Sequence, residues 1–515
     1  MSTTEAPETK QLGAMSAKAA RQAVNALKRQ SRKPTWAVFV LLGIGIVTVI
    51  SIFALKSVGR EAVGGAAVVL MLVLLFYRVP IAFTLIVPAL LGMLSLQGTR
   101  ALETVLTSVP YGALAVWQLT TLPMFILMGM LLASSGIAER LYDTARLWIG
   151  WLPGGLPVAT NIAGAGMAAV SGSTLGTAYS LGRIGIPQML RFGYDRRLAV
   201  GSVISASLPG QVIPPSTMLI FIAGITGAAV GPQLIAGIAP GIGMVAIMVV
   251  LMILYSIIFP SWSGRSKEQK ETNRKAAEGA PPITWRQRIV SLGAVWPLVV
   301  LILAVFGLMY GGVLTATEAG AAGAATAIVL TLWFRRKDKP LMHILDGARN
   351  AVSTLGAIFL VLIGAQMLTL FVAVTRLGSL FSNFVLGLGL DRVGFLLVVM
   401  VIYFLLGTFM ESLPILLLTL PILQPVFAPL GIDLLWFGVF AVLMAEMAML
   451  SPPVGILTFL VHGMVQNKEI NLGQKITLND VYTSVWMLMP GMFLLLILMI
   501  LWPDWVLFLP NNMQG

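Results

Sequence analysis

Cysteine is absent from the 515-residue chain, so neither disulfides nor thiolate metal sites are open to it. Only two histidines occur, His343 and His462, too few for a histidine-built zinc centre. Charged residues make up 10% of the sequence, where a soluble domain carries about 25%. A large soluble protein with buried helices is therefore excluded. What fills the chain instead is apolar: 58% of residues are hydrophobic and the mean hydropathy is +0.92. These residues come in repeated blocks of roughly 20, long enough to cross a hydrocarbon core of about 30 Å. The sequence describes an all-α polytopic membrane protein.

The net charge of +13 raises the question of nucleic acid. In a membrane protein, however, basic residues concentrate in cytoplasmic loops, and membrane lipids rather than nucleic acid are the expected contact. Residues 1–35 carry seven Lys/Arg against Glu5 and Glu8 and are expected to be cytoplasmic. The apolar run over 36–55 is too long for a signal-peptide core and has no small-residue cleavage site behind it. It reads as an extra N-terminal span within 36–60.

Apolar runs near 36–55, 62–78, 80–97, 112–134, 198–230, 234–259, 291–310, 312–333, 352–375, 434–465 and 483–502 predict about eleven transmembrane helices. Two further stretches, 154–188 and 393–427, are too long for one span and are broken midway. The first breaks at Ser171-Gly-Ser-Thr174 and the second at Gly407-Thr-Phe-Met-Glu-Ser412. Each is expected to be a re-entrant helical hairpin. With the N-terminus inside and both stretches treated as hairpins, 28 of the 33 Lys/Arg fall on the cytoplasmic side. Only Lys56, Arg60, Arg100, Arg376 and Arg392 face out. A full crossing at 154–188 would put the basic segments 140–146 and 191–197 on opposite sides, so the positive-inside rule favours the hairpin.

A hydrophilic stretch at 260–290 divides the chain and reads as a cytoplasmic linker. Residues 62–259 and 291–502 each show three spans, a hairpin, a long interrupted span and a last span. Five spans per unit is odd, so the two units are expected to be inverted repeats, with 503–515 a periplasmic tail. The long span of the first unit contains Gly210-Gln-Val-Ile-Pro-Pro-Ser216, and that of the second contains Met449-Leu-Ser-Pro-Pro-Val-Gly455. Paired prolines remove backbone donors and strand carbonyls. At membrane depth such backbone is tolerated only inside protein or along a polar cavity. Inverted repeats with discontinuous helices are the pattern of secondary transporters.

Leu152-Pro-Gly-Gly-Leu156, Ser171-Gly-Ser173, Ile186-Pro-Gln-Met189, Gly193-Tyr-Asp195 and Ile213-Pro-Pro-Ser216 follow one another in the first unit. Thr315-x-Thr-Glu-Ala319, the Gly407–Pro414 tip, Leu430-Gly-Ile-Asp433 with Phe437-Gly438, and Ser451-Pro-Pro-Val-Gly455 follow in the second. In this order, across roughly 75–465, the chain resembles the large membrane (permease) subunit of tripartite ATP-independent periplasmic (TRAP) transporters, within the ion transporter superfamily. The resemblance implies an elevator-type secondary transporter in the inner membrane, moving an organic acid inward by sodium symport. It also implies two partners, a small membrane subunit and a periplasmic substrate-binding protein, and no cofactor beyond sodium ions. Carried over by motif, one sodium site would use Ser171 and Ser173 with Gly210, Ile213 and Pro215. The other would use Gly407, Thr408 and Glu411 with residues near Ser451. Substrate contacts would come from Ser171, Gly172, Ser173, Thr174, Ser216, Met410, Glu411 and Glu446. The chain departs from the family pattern in Thr174-Leu-Gly-Thr-Ala-Tyr179 after the first tip, and at Glu411, Glu446 and Ser451.

Among the ionisable residues, Glu318 fits a capping box with Thr315, and Arg183 is expected to snorkel towards the cytoplasm. Glu411 and Glu446 stand beside helix breaks. A carboxylate at mid-membrane costs about 2.5–3.5 kcal/mol on insertion scales, so it faces a cavity or a partner. Both are expected in the translocation site, the competing reading being a structural hydrogen bond. Their titration also leaves open a proton-coupled one-component carrier of the same superfamily. A membrane-embedded enzyme would need a histidine cluster, paired aspartates or an activated nucleophile. None is arranged so, and no catalytic residue is expected.

Overall fold

A computed structural model of the chain describes residues 35–77, 79–264, 284–293, 295–408, 410–451 and 455–513. Residues 1–34, most of the expected linker (265–283) and the second proline pair at 452–453 lie outside them. Among the described residues every regular element is a helix, apart from one isolated bridge between Tyr194 and Ser263. Exposed Ile46, Val47, Val300, Leu303, Val329 and Trp333 leave helix exteriors apolar, a surface that water would not tolerate at this extent.

Among the described residues, four stretches are long and apolar enough to cross a membrane unaided: Val230–Ile258, Ala316–Phe334, Pro340–Thr375 and Leu478–Leu501. Thr121–Ser134 turns by 69° into the helix over Glu139–Ile149 and together they make a fifth candidate. Several other apolar helices run 10–17 residues, so the expected eleven spans do not map one to one onto unbroken helices. Two differences have simple causes. Helix Thr99–Leu114 occupies what the sequence left as a connection: Val105 and Ala113 are buried while Leu106 and Tyr111 are exposed. This is an amphipathic helix, with no continuous apolar run to betray it. The helix expected over 352–375 begins at Pro340 instead, where proline fits the first turn.

Polar caps set where apolar helices begin. The Asp195 carboxylate accepts from the Arg197 N–H at 2.7 Å, Asp391 from Gly394 at 2.8 Å and Asp433 from Trp436 at 2.9 Å. The Thr315–Glu318 capping box is present, as the spacing suggested, with Glu318 accepting from the Thr315 N–H at 2.8 Å. Arg183 is exposed and lies over the Tyr179 ring.

Packing is reciprocal between the halves. Ile81–Gln97 lies against Pro340–Thr375, and Ala316–Phe334 lies against Thr121–Ser134. The partners Thr121–Ser134 and Pro340–Thr375 also pack on each other. At the centre run Arg196–Ser207 and Leu434–Ala448, buried at every residue from Leu198 to Ser207 and from Trp436 to Ala448. Helices buried all round are core rods, and these two end at the breaks.

At the start of the first rod, Asp480 caps Leu478–Leu501 through Thr477 and accepts from Arg196 Nε at 2.9 Å and Arg197 Nε at 3.4 Å. The two arginine side chains are 39% and 36% exposed, so water screens much of the attraction. Asp480→Ala is expected to cost about 1 kcal/mol, read as a small drop in the thermal unfolding midpoint in detergent.

Candidate functional site

The first rod ends at Ser207, tightens into a 3-10 turn over Leu208–Gln211, and resumes as Thr217–Thr226. Pro209, Pro214 and Pro215 supply no donors for a continuous ladder. Ser216 restarts the helix, its hydroxyl accepting from the Leu219 N–H at 3.1 Å and donating to the Gln211 carbonyl. The second rod ends at Ala448, and the chain becomes helical again at Ile456. The hairpins are Gly155–Ser171 with Thr174–Arg191, and Arg392–Gly407 with Ser412–Phe427.

Each hairpin tip meets a break. At the first tip Gly172 has φ +56°, in the left-handed region that glycine enters without cost. Ser173 caps the second arm, accepting from the Gly176 N–H at 3.2 Å. The Ser171 hydroxyl accepts from the Ser173 N–H at 3.3 Å and lies 2.9 Å from the Thr177 hydroxyl. Across the gap, Thr217 donates to the Gly172 carbonyl at 3.5 Å. A Cβ on Gly210 would sit 2.9–3.1 Å from the Ser173 carbonyl and the Thr174 nitrogen. A Cβ on Gly172 would sit 2.6 Å from the Pro215 carbonyl oxygen. Ile213 points away, against Gly241 of the following span.

The second tip is built alike with the roles of partner exchanged. Here the glycine is on the hairpin: a Cβ on Gly407 would collide with Ala448, 2.7 Å from its Cα. Ser451 donates to the Ala448 carbonyl at 2.7 Å and to the Phe404 carbonyl, in the first arm, at 3.3 Å. Thr408 and Met410 are buried, Thr408 donating to the Leu405 carbonyl at 2.7 Å.

Glu446 joins the two tips. Its carboxylate is fully buried, and accepts from the Thr174 hydroxyl at 2.6 Å and from the Ser412 hydroxyl at 3.2 Å. Thr174 and Ser412 are the first residues of the two second arms. Among the described residues no basic side chain pairs with Glu446; two helix N-termini and two hydroxyls offset its burial.

Glu411, the other carboxylate singled out by sequence, departs from expectation. It is exposed, in the N-cap position of Ser412–Phe427 without a side-chain cap, and it does not join Ser451. The acid between the tips is Glu446. Two further residues belong to the site and escaped the sequence reading. Ser412 stands to the second arm as Thr174 does to the first, a signal available in the order of the motifs. Gln211 follows Gly210, and its Oε1 is buried with no hydrogen-bond partner among the described residues.

Residues 68–505 match the DctM component of the tripartite ATP-independent periplasmic transporter. The chain belongs to that family. A C4-dicarboxylate TRAP transporter large permease protein of Pseudomonas aeruginosa is 30% identical over 348 residues, covering 67% of this chain and 76% of that one. A sialic acid TRAP large permease protein of Vibrio cholerae is 27% identical, covering 86% and 97%. An ectoine/5-hydroxyectoine TRAP large permease protein of Ruegeria pomeroyi is 28% identical, covering 75% and 86%. In fold, the YdaH transporter of Alcanivorax borkumensis superposes with a TM-score of 0.53 at 16% identity, covering 82% of this chain and 90% of that one. This DctM-family chain is thus a TRAP transporter large permease, a multipass membrane protein whose relatives are named for transport.

Proposed function

We propose that this permease imports a small organic acid by sodium symport, its two hairpins and two interrupted spans moving together as an elevator. The observation that carries the reading is the closure of each hairpin tip on a helix break, at Gly210 and at Gly407. Hydroxyls and main-chain carbonyls gather there in a dry region, and oxygen ligands suit a small hard cation. One sodium lies by Ser171, Ser173, Gly210, Ile213 and Pro215, with Gln211 Oε1 as an added ligand. The other lies by Gly407, Thr408 and Ser451, with Glu411 at the exposed rim. The acid group of the solute faces half-helix N-termini near Gly172, Ser173, Ser216 and Met410. The carboxylate class rests on the relatives named for C4-dicarboxylates and sialic acid.

Reciprocal packing of the two halves supports inverted repeats over 62–259 and 291–502, and the charge bias supports a cytoplasmic linker and N-terminus, with 503–515 periplasmic. Single cysteines are readily introduced into this cysteine-free chain. A cysteine at position 270 is expected to resist impermeant thiol reagents in intact cells and react in inverted vesicles. Labelling from outside would contradict the repeat orientation.

The partners are a small membrane subunit and a periplasmic substrate-binding protein. Purified chain alone in liposomes is therefore expected to accumulate no solute from a panel of C4-dicarboxylates, sialic acid and ectoine under a sodium gradient, whereas the three components together accumulate at least one. Robust uptake by the single chain would argue for a one-component carrier. A proton-coupled carrier is the second reading, favoured by the buried Glu446, which no basic side chain pairs among the described residues.

A further inference from the structure

We infer that Glu446 is a positioning residue, whose carboxyl group clasps the two hairpin tips to one core helix so that they move as one unit. Thr174 and Ser412 are separated from it by 272 and 34 residues in sequence, yet each places its hydroxyl on a different carboxylate oxygen. Each also opens a helix, so the positive ends of two half-helices converge on one carboxyl group. The rod that carries Glu446 touches the second tip again two residues later, where Gly407 lies on Ala448. The first tip is fixed to its own break by Gly210 and Thr217. Further along the arm, Gly182 lies against Met464 of the second half; at the tips themselves, Glu446 is the side chain that carries a displacement from one to the other. Thr174, Ser412 and Glu446 are at most 1% exposed, so the clasp is a closed internal joint and not a lining of an open solute cavity.

The consequence is that neither tip opens alone, which links events in the two halves whatever ion drives them. The inference uses the tips of the proposed function but not its sodium ions: purely proton-driven uptake would overturn that function and leave the clasp standing. The test uses the full-length chain in lipid nanodiscs, spin-labelled at Tyr179→Cys beside the first tip and Leu405→Cys beside the second, both exposed positions. The parent is expected to give one narrow distance distribution. Glu446→Gln, which keeps shape but replaces one acceptor oxygen by a donor, and the double variant Thr174→Val with Ser412→Ala, which keeps the carboxyl group but removes both donors, should each add a second population with the labels further apart. A purely structural role would not predict the next readout. Gly210→Leu, a change at the first tip, should alter label mobility at position 405 in the parent background and leave it unaltered with Glu446→Gln. Unchanged distances in either clasp variant, or a response at 405 that persists in Glu446→Gln, would overturn the inference.

Discussion

Uptake by the assembled transporter is expected to fall at least tenfold when Gly407 or Gly210 is replaced by leucine, with membrane insertion intact. At Gly407 even the first added carbon meets Ala448 backbone atoms at 2.7 Å. Ala448 ends a helix that is buried at every residue from Trp436 onward, so it cannot swing aside as a flexible side chain would. At Gly210 the added carbon meets main chain of the first tip at 2.9–3.1 Å. Overpacking of this kind costs about 1–3 kcal/mol, and each 1.4 kcal/mol is about tenfold in an equilibrium. The tips would be held off their breaks and the cation ligands spread. Insertion should survive because leucine raises the hydrophobicity of both segments. Gly407→Ala should show a weaker form of the same loss. Ser451→Ala should do less again, weakening sodium dependence, because it removes a hydroxyl and leaves the carbonyls in place. Near-normal sodium-driven uptake by Gly210→Leu, at normal surface expression, would remove the tip-site assignment and leave the fold standing.

Replacing Glu446 by alanine is expected to have the second large effect, on both stability and uptake. Two buried hydroxyls, Thr174 and Ser412, would lose their acceptor. Leaving a buried polar group unsatisfied costs about 1–3 kcal/mol. In mid-helix a serine or threonine escapes that cost by turning back to the carbonyl four residues earlier. Thr174 and Ser412 open their helices, so no helical carbonyl precedes them. The cost should therefore be felt at both, as a lowered unfolding midpoint in detergent and uptake near background. Glu446→Asp, shorter by one carbon, should reach one hydroxyl and not both, giving an intermediate result. Parent-like stability and uptake in Glu446→Ala would mean that the two hydroxyls find other partners and that the tie carries little.

These two sites differ in how far sequence could reveal them. The breaks were legible because local chemistry makes them: Ser171-Gly-Ser173 and Pro214-Pro215 disturb the helix whatever lies around them. The Thr315–Glu318 box was legible for the same reason, its partners being three residues apart. Helix Thr99–Leu114 was not, since an amphipathic surface helix lacks the long apolar run that marks a span. The joint at Glu446 was legible only in part. A carboxylate beside a break had to have a partner, but nothing local chose Thr174, 272 residues away, over a solute or an ion. Glu411 shows the same limit from the other side: beside a tip in sequence, it turns outward in the fold.

Sodium dependence tests the account most directly. The permease with its small membrane subunit and periplasmic binding protein would be reconstituted in liposomes, and uptake of the transported acid measured under an inward sodium gradient alone, an inward proton gradient alone, and neither. Accumulation is expected with the sodium gradient, none with the proton gradient when sodium is absent, and none without a gradient. Accumulation driven by protons in sodium-free buffer would contradict it, and would add proton carriage to the clasp role of Glu446.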